Sequence, residues 1–276
     1  MYFFWCMQSE NIYIDITRRF NCGRIRTIIS SGQAVVLYRI AIMSKDGDWI
    51  IREEEEAFEH VLNILEEYGA QYRFGAPLDI RWLRGGWSSH FEFRHENLRV
   101  RTDFVSRPPR ITSEQLARLW RKNENTEIPV VDLPLLAELK KTNREKDYVI
   151  LGELARKMAS LEEQMLYSRS ARDLADMNGR APGLAQKLSA QRPLLALLGG
   201  RVDEIEKALD AERRELIHAN ERRLARYGEA ARGWAEVWPD VQKDIASMPL
   251  KEAHRCIVSR AIENLPFVPE GGRHDG

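Results

Sequence analysis

Asp46 and Asp48 stand two residues apart in the segment Ser44-Lys45-Asp46-Gly47-Asp48-Trp49. On an extended backbone, side chains at i and i+2 project to one side, so both carboxylates can share a cation. A third carboxylate, Asp103, lies in Arg101-Thr102-Asp103-Phe104 and has to arrive from a neighbouring strand. Hard divalent cations such as Mg2+ take oxygen ligands and keep positions open for water and substrate phosphates. Asp46, Asp48 and Asp103 as metal ligands therefore suit nucleotidyl or phosphoryl transfer. Ahead of them, Ser31-Gly32 is a small-residue turn at a strand-to-helix junction, where backbone N–H groups can approach a triphosphate closely. Singly, each part is ordinary: Asp-x-Asp is usually a solvated turn, and Ser-Gly usually only a turn. Their order along the chain points to chemistry.

Other side chains extend the candidate set. Arg99 and Arg101 share the expected face of Asp103, with Arg107 and Arg110 close in sequence. That is a local cationic patch for a triphosphate or an RNA backbone, or else a set of partners for Glu92. His90, on the same face, is either a base or a hydrogen-bonded polar histidine. If 140–147 is one helix, Lys140, Arg144 and Asp147 fall at i, i+4 and i+7 and form a single stripe. Trp49, Trp82 and Trp87 read more simply as core than as platforms for a base. Six histidines without metal-ligand spacing argue against zinc.

The elements that must position these residues change character along the chain. The 276 residues are 43% hydrophobic and 30% charged, with 42 basic and 42 acidic side chains, which excludes disorder, collagen and an overall basic clamp. Three cysteines, Cys6, Cys22 and Cys256, form neither a framework nor a C-x-x-C pair, so a reduced interior is expected. The apolar start, Met1 to Met7, is too short for a signal or a span, and a cytoplasmic location without membrane attachment is expected.

Strands are expected at 24–30, at 47–51, at 71–74 and as a hairpin at 88–94 and 98–105 around His95-Glu96-Asn97. In the hairpin Ser89, Phe91, Phe93, Val100 and Phe104 point to one face, and Ser88, His90, Glu92, Arg99, Arg101 and Asp103 to the other. Helices are expected after Ser31, from Glu53-Glu54-Glu55-Glu56 onward, around 77–83, and after the capping box Thr112-Ser113-Glu114-Gln115. Residues 128–131 read as the last strand. From Asp132 the chain reads as helix after helix, including a long helix or helix pair across 202–238. The expected domains are thus a 1–131 core and a 132–276 helical domain.

Through these residues the chain resembles the DNA polymerase beta-like nucleotidyltransferase superfamily. The resemblance rests on Ser31-Gly32-Gln33-Ala34, on Asp46-Gly47-Asp48 and on Asp103. A second match, Leu136-Ala137-Glu138-Leu139-Lys140-Lys141 followed by Arg144-Glu145-Lys146-Asp147, looks like the helical signature of the AbiEii-like toxin branch. Together they cover about residues 24–158. The resemblance implies an α/β (α+β) fold, a nucleotidyltransferase-like mixed sheet core with a C-terminal helical bundle. It also implies Asp46, Asp48 and Asp103 as catalytic metal ligands, Mg2+ as cofactor and a nucleoside triphosphate as substrate. Ser31, Gly32, Arg101, Lys140, Arg144 and Asp147 would contact the nucleotide. The implied acceptor is RNA, such as tRNA, or a protein hydroxyl, and the implied partner a cognate antitoxin. The chain departs from the pattern at Ser31, where glycine is common, and at Gly47, where an apolar residue is usual; Gly47 is expected to loosen its strand. A non-catalytic nucleotide-sensing or partner-binding member of a toxin–antitoxin pair, and a small-molecule nucleotidyltransferase, remain open beside the enzyme reading.

Overall fold

The computed structural model describes residues 11–269; Cys6 and the apolar stretch from Met1 to Met7 lie outside them. The architecture is α/β, built on a mixed five-stranded sheet. Its strands are β1 (Thr27–Ser30), β2 (Asp46–Ile51), β3 (Gln71–Tyr72), β4 (Ser89–His95) and β5 (Leu98–Val105), in spatial order β1-β2-β5-β4-β3. Among these five strands, the β2–β5 pairing alone is parallel. The expected last strand at 128–131 is a single parallel bridge, Ile29 to Val130, beside β1. Pro129 explains its brevity, since it has no N–H to donate and only its carbonyl joins the ladder, accepting from Ile29.

Before Asp132, the helices are α1 (Ile12–Phe20), α2 (Ser31–Leu37), α3 (Glu55–Glu67), α4 (Ile80–Leu83) and α5 (Ser113–Asn123). No helix was expected at α1. Its signal was present: Asn11 caps it by accepting from the Tyr13 N–H, and Ile12, Ile16 and Phe20 recur at helical spacing. The Thr112 capping box forms with both of its hydrogen bonds.

From Asp132 onward come α6 (Leu133–Leu139), α7 (Glu145–Lys157), α8 (Leu161–Tyr167), α9 (Ala171–Arg180) and α10 (Leu184–Leu188). A 3-10 turn at Pro193–Leu197 follows, then α11 (Val202–Ala230), α12 (Arg232–Ile245) and α13 (Leu250–Asn264). Contacts divide the chain into two units, and the division differs from the expected cut at 131/132. One unit holds residues up to Val36, Met43–Val131 and everything from Ala230; the other holds Leu37–Ile42 and Asp132–Glu229. The last two helices therefore belong with the sheet. Trp82 and Trp87 donate their indole N–H groups to the carbonyls of Leu265 and Pro266, at 3.0 and 2.9 Å, and Trp234 on α12 donates to Gly75 at 2.9 Å. The helical unit has its own apolar core, in which Met165, Leu174, Leu195 and Ile205 are buried.

Alternation in the strands sorts one sheet face into the core. Trp49 and Phe104 are register partners on β2 and β5 and stack at 5.5 Å, with Phe20 of α1 edge-on to both. Gly47 belongs to this face too. A Cβ there would lie 2.5 Å from Tyr13 Cδ1 and 2.6 Å from Trp49 Cζ3. The two rings fill the place of the apolar side chain that the resemblance leads one to expect. Gly47 is a packing requirement for the rings.

Candidate active site

The opposite face is polar, and strand register orders it into rows. Asp48 on β2 is opposed by Asp103 on β5, which is opposed by His90 on β4. One step along, Asp46 is opposed by Arg101, and Arg101 by Glu92. Paired strands lie about 5 Å apart, so residues directly opposed on one face are immediate neighbours. The three acidic residues singled out in the sequence are thus brought to adjoining positions by the parallel β2–β5 pairing.

Each carboxylate has its own surroundings. Asp48 Oδ2 accepts the Gly32 N–H at 3.3 Å. Asp46 Oδ1 is buried and accepts no hydrogen bond, with the Arg101 guanidinium 3.6 Å away. Asp103 Oδ1 receives His90 Nδ1 at 2.7 Å and has Arg73 Nη1 at 3.5 Å. Arg73 also lies 3.7 Å from Glu92, which pairs across the strands with Arg99. Arg99 thus takes the cross-strand partner that its spacing allowed. The Tyr13 hydroxyl, donated to the Lys45 carbonyl at 2.8 Å, is pushed up first by burial and then by the negative charge of Asp46 and Asp48, with Arg101 partly opposing.

The donor chemistry fits a hard cation at Asp46 and Asp48: two carboxylates on one face, one of them with a buried acceptor oxygen left unsatisfied. Asp103 lies beside them but directs Oδ1 to His90 and Arg73. Among the described residues, no three acidic, His or Cys side chains are gathered as a ready metal cluster.

Ser31 opens α2 with φ 45, the left-handed region that glycine enters freely and serine only at a cost of about 1 kcal/mol. This is the physical sense of the glycine common at that position in the family the chain resembles. Gly32 is needed for a different reason: the Ser44 hydroxyl occupies the space its Cβ would take.

The stripe expected across Lys140, Arg144 and Asp147 does not form, because 140–144 is a turn between α6 and α7, and Asp147 lies in the first turn of α7. Lys140 caps the end of α6 and Arg144 the start of α7. Thr142 breaks the helix: its hydroxyl accepts the Arg144 N–H at 3.0 Å and donates to Asp147 at 2.6 Å. The turn still draws the three residues together. Arg144 donates to Asp147 at 2.8 Å, and Lys140 Nζ lies 3.8 Å from it. Lys140 and Asp147 are 4% and 1% exposed, so this ammonium is engaged inside the helical unit. Trp49 and Trp82 are fully buried and Trp87 nearly so, which makes all three core residues and not stacking platforms. Arg107 clamps Glu53 together with Arg84 and Ser106. Burial pushes the Glu53 carboxyl up, and these hydrogen bonds outweigh it and hold it below the ordinary range.

No family model matches the chain, and no curated protein matches it. Among solved structures it is similar to one described as "putative nucleotidyltransferase from H. pylori", at 12% identity over 76% of this chain and 94% of that chain, with a TM-score of 0.37. A likeness of that size is too slight to assign an activity. No helix among the described residues is long and apolar enough to cross a membrane.

Arg73, Ser88, Gly75 and Tyr13 complete the site's surroundings and were not picked out as functional from sequence. Ser88 carried a signal, since it falls on the polar side of the alternation two residues before His90. Arg73 carried only its place near a short edge strand, and Tyr13 none without α1.

Proposed function

We propose that the chain is a Mg2+-dependent nucleotidyltransferase that moves a nucleoside monophosphate from a nucleoside triphosphate to a hydroxyl of RNA or protein. The observation that carries this reading is the register of β2 on β5, which sets Asp48 beside Asp103 with Asp46 on the same face and its Oδ1 unsatisfied. Asp46 and Asp48 would hold the metal, a number of carboxylates typical of Mg2+ sites that rely on substrate phosphates for the rest of the shell. Bound there, the ion would supply charge stabilisation to the phosphates.

The chain's own groups do the rest. Arg101, 35% exposed in its side chain and 3.6 Å from Asp46, is placed to meet negative charge gathering on the transferred group. By resemblance, the Ser31-Gly32 turn faces the phosphates. Asp103 acts beside the metal carboxylates, and its hydrogen bond fixes the His90 ring. The helical signature around Lys140, Arg144 and Asp147 associates the chain, again by resemblance, with toxin–antitoxin pairs and hence with a cognate antitoxin as partner.

The test is to incubate the purified chain with α-labelled nucleoside triphosphates, Mg2+ and total RNA or lysate. Label appearing on RNA or protein, and lost with EDTA and in Asp46→Asn, supports the enzyme. Absence of any transfer with all four nucleotides overturns it.

A further inference from the structure

Beside the metal carboxylates runs a chain of hydrogen bonds that metal binding does not require. Asp103 Oδ1 meets His90 Nδ1 at 2.7 Å, and His90 Nε2 meets the Ser88 hydroxyl at 2.8 Å. A carboxylate only accepts, so His90 Nδ1 carries a proton toward Asp103; in the neutral ring Nε2 is then the acceptor, and Ser88 donates to it. Nucleophile to base to orienting carboxylate is the order found in activated serines of unrelated folds, where roles and geometry, not sequence position, define the arrangement.

The surroundings hold this geometry. Ser88 immediately precedes β4, two residues before His90, and His90 and Asp103 are register partners. A Cβ at Gly75 would lie 2.5 Å from His90 Cδ2, so only glycine leaves the ring its place. The Gly75 segment is itself fixed by the Trp234 indole on its carbonyl and by the Ala76 N–H donated to the Ser88 carbonyl at 3.0 Å. Ser88 and His90 are both partly open to solvent, so an electrophile can reach the hydroxyl.

We infer that Ser88 is an activated nucleophile toward phosphorus electrophiles. His90 takes its proton, and Asp103 is the positioning residue that holds His90. The natural donor rests on the nucleotidyl-transfer reading: Ser88 Oγ bonds to the α-phosphorus of a nucleoside triphosphate, the bond from that phosphorus to the bridging oxygen breaks, and pyrophosphate leaves. The serine proton passes to His90 Nε2. The product is a nucleotidyl-serine on the protein itself.

Two arms test this on the full chain. In EDTA and without nucleotide, a fluorophosphonate probe reports the serine alone, since its P–F bond breaks as the Oγ–P bond forms. Peptide mapping should find the adduct on Ser88, with labelling on the order of a hundredfold slower in His90→Ala and Asp103→Asn and partly restored in Asp103→Glu. In the second arm, Mg2+ and each nucleoside triphosphate replace the probe, and Ser88 should gain the nucleotide's mass. Probe labelling without a nucleotidyl adduct supports the nucleophile and overturns the nucleoside triphosphate as its donor, while label on RNA or protein decides the nucleotidyl-transfer reading separately. Transfer to RNA or protein with Ser88 unlabelled in both arms overturns the nucleophile and leaves that reading standing. Because the wild-type chain is mapped directly, a variant that fails to fold does not decide the result.

Discussion

Asp48 and Asp103 are direct register partners on the only parallel strand pair of the described sheet, although 55 positions separate them in the chain. Parallel partners project to the same face, so this one pairing converts two unrelated acidic residues into neighbours. Shifting β2 by one residue would set Gly47 opposite Asp103 and turn both β2 carboxylates into the core. The register is held from the other side by the stacked Trp49 and Phe104 rings.

Removing the unsatisfied acceptor should separate activity from stability. Asp46→Asn is expected to lower nucleotidyl transfer by at least about a hundredfold, while thermal melting moves by no more than about 3 °C. Transfer of α-labelled nucleotide and a melting curve on one preparation check both; retained transfer would mean that Asp46 holds no metal.

Gly47→Val places a branched side chain where the Tyr13 and Trp49 rings already sit. Overpacking of this kind typically costs about 1–3 kcal/mol, and the urea midpoint should fall accordingly. A variant as stable as the parent would show that the rings do not hold β2.

Glu212 lies between two nearly buried guanidiniums, pairing with Arg192 at 2.9 Å and with Arg169. Burial raises its carboxyl and lowers the Arg169 guanidinium, but the hydrogen bonds and charges of Arg192 and Arg169 outweigh the burial at Glu212 and hold it below the ordinary range. Glu212→Gln leaves both cations without their counter-charge, a loss of about 3–5 kcal/mol. It should appear as increased hydrogen exchange in the helical unit. Since the folded carboxyl is the stronger acid, this contribution is present above the ordinary glutamate range and is lost as pH falls through the lowered value.

His254 on α13 accepts or donates through Nδ1 to the Tyr72 hydroxyl at 2.7 Å. Burial pushes it down to about 4, with Asp79 opposing and Arg81 adding to the fall. The unfolded chain therefore binds a proton near pH 6.5 that the folded chain refuses. Stability from this group is complete above about pH 6.5 and falls on acidification toward pH 4, by up to about 3 kcal/mol. Melting temperatures between pH 7 and 4.5 should decline in the parent and flatten in His254→Gln; parallel curves would assign the decline to other groups.

Much of the site was legible before any fold. Period-two alternation placed Asp103, His90 and Ser88 on one face and Phe91 and Phe104 on the other, and the capping box at Thr112 read correctly, because both depend on residues a few positions apart. The turn at 140–144 was legible only in part. Charges at i, i+4 and i+7 fit a helix, and the hydroxyl of Thr142 competing for the backbone broke it.

By itself, then, the amino-acid sequence determined which side chains share a strand face and, at Thr112 and Asp132, where helices begin, since local sterics and hydrogen bonding set those. The tertiary structure alone decided that β2 runs parallel beside β5, that residues after Ala230 return to the sheet, and that Asp103 turns its oxygen to His90. Those outcomes depend on packing between segments far apart in the chain, where Trp49 against Phe104 and Trp82 against Leu265 select one arrangement among many that the same local pattern permits.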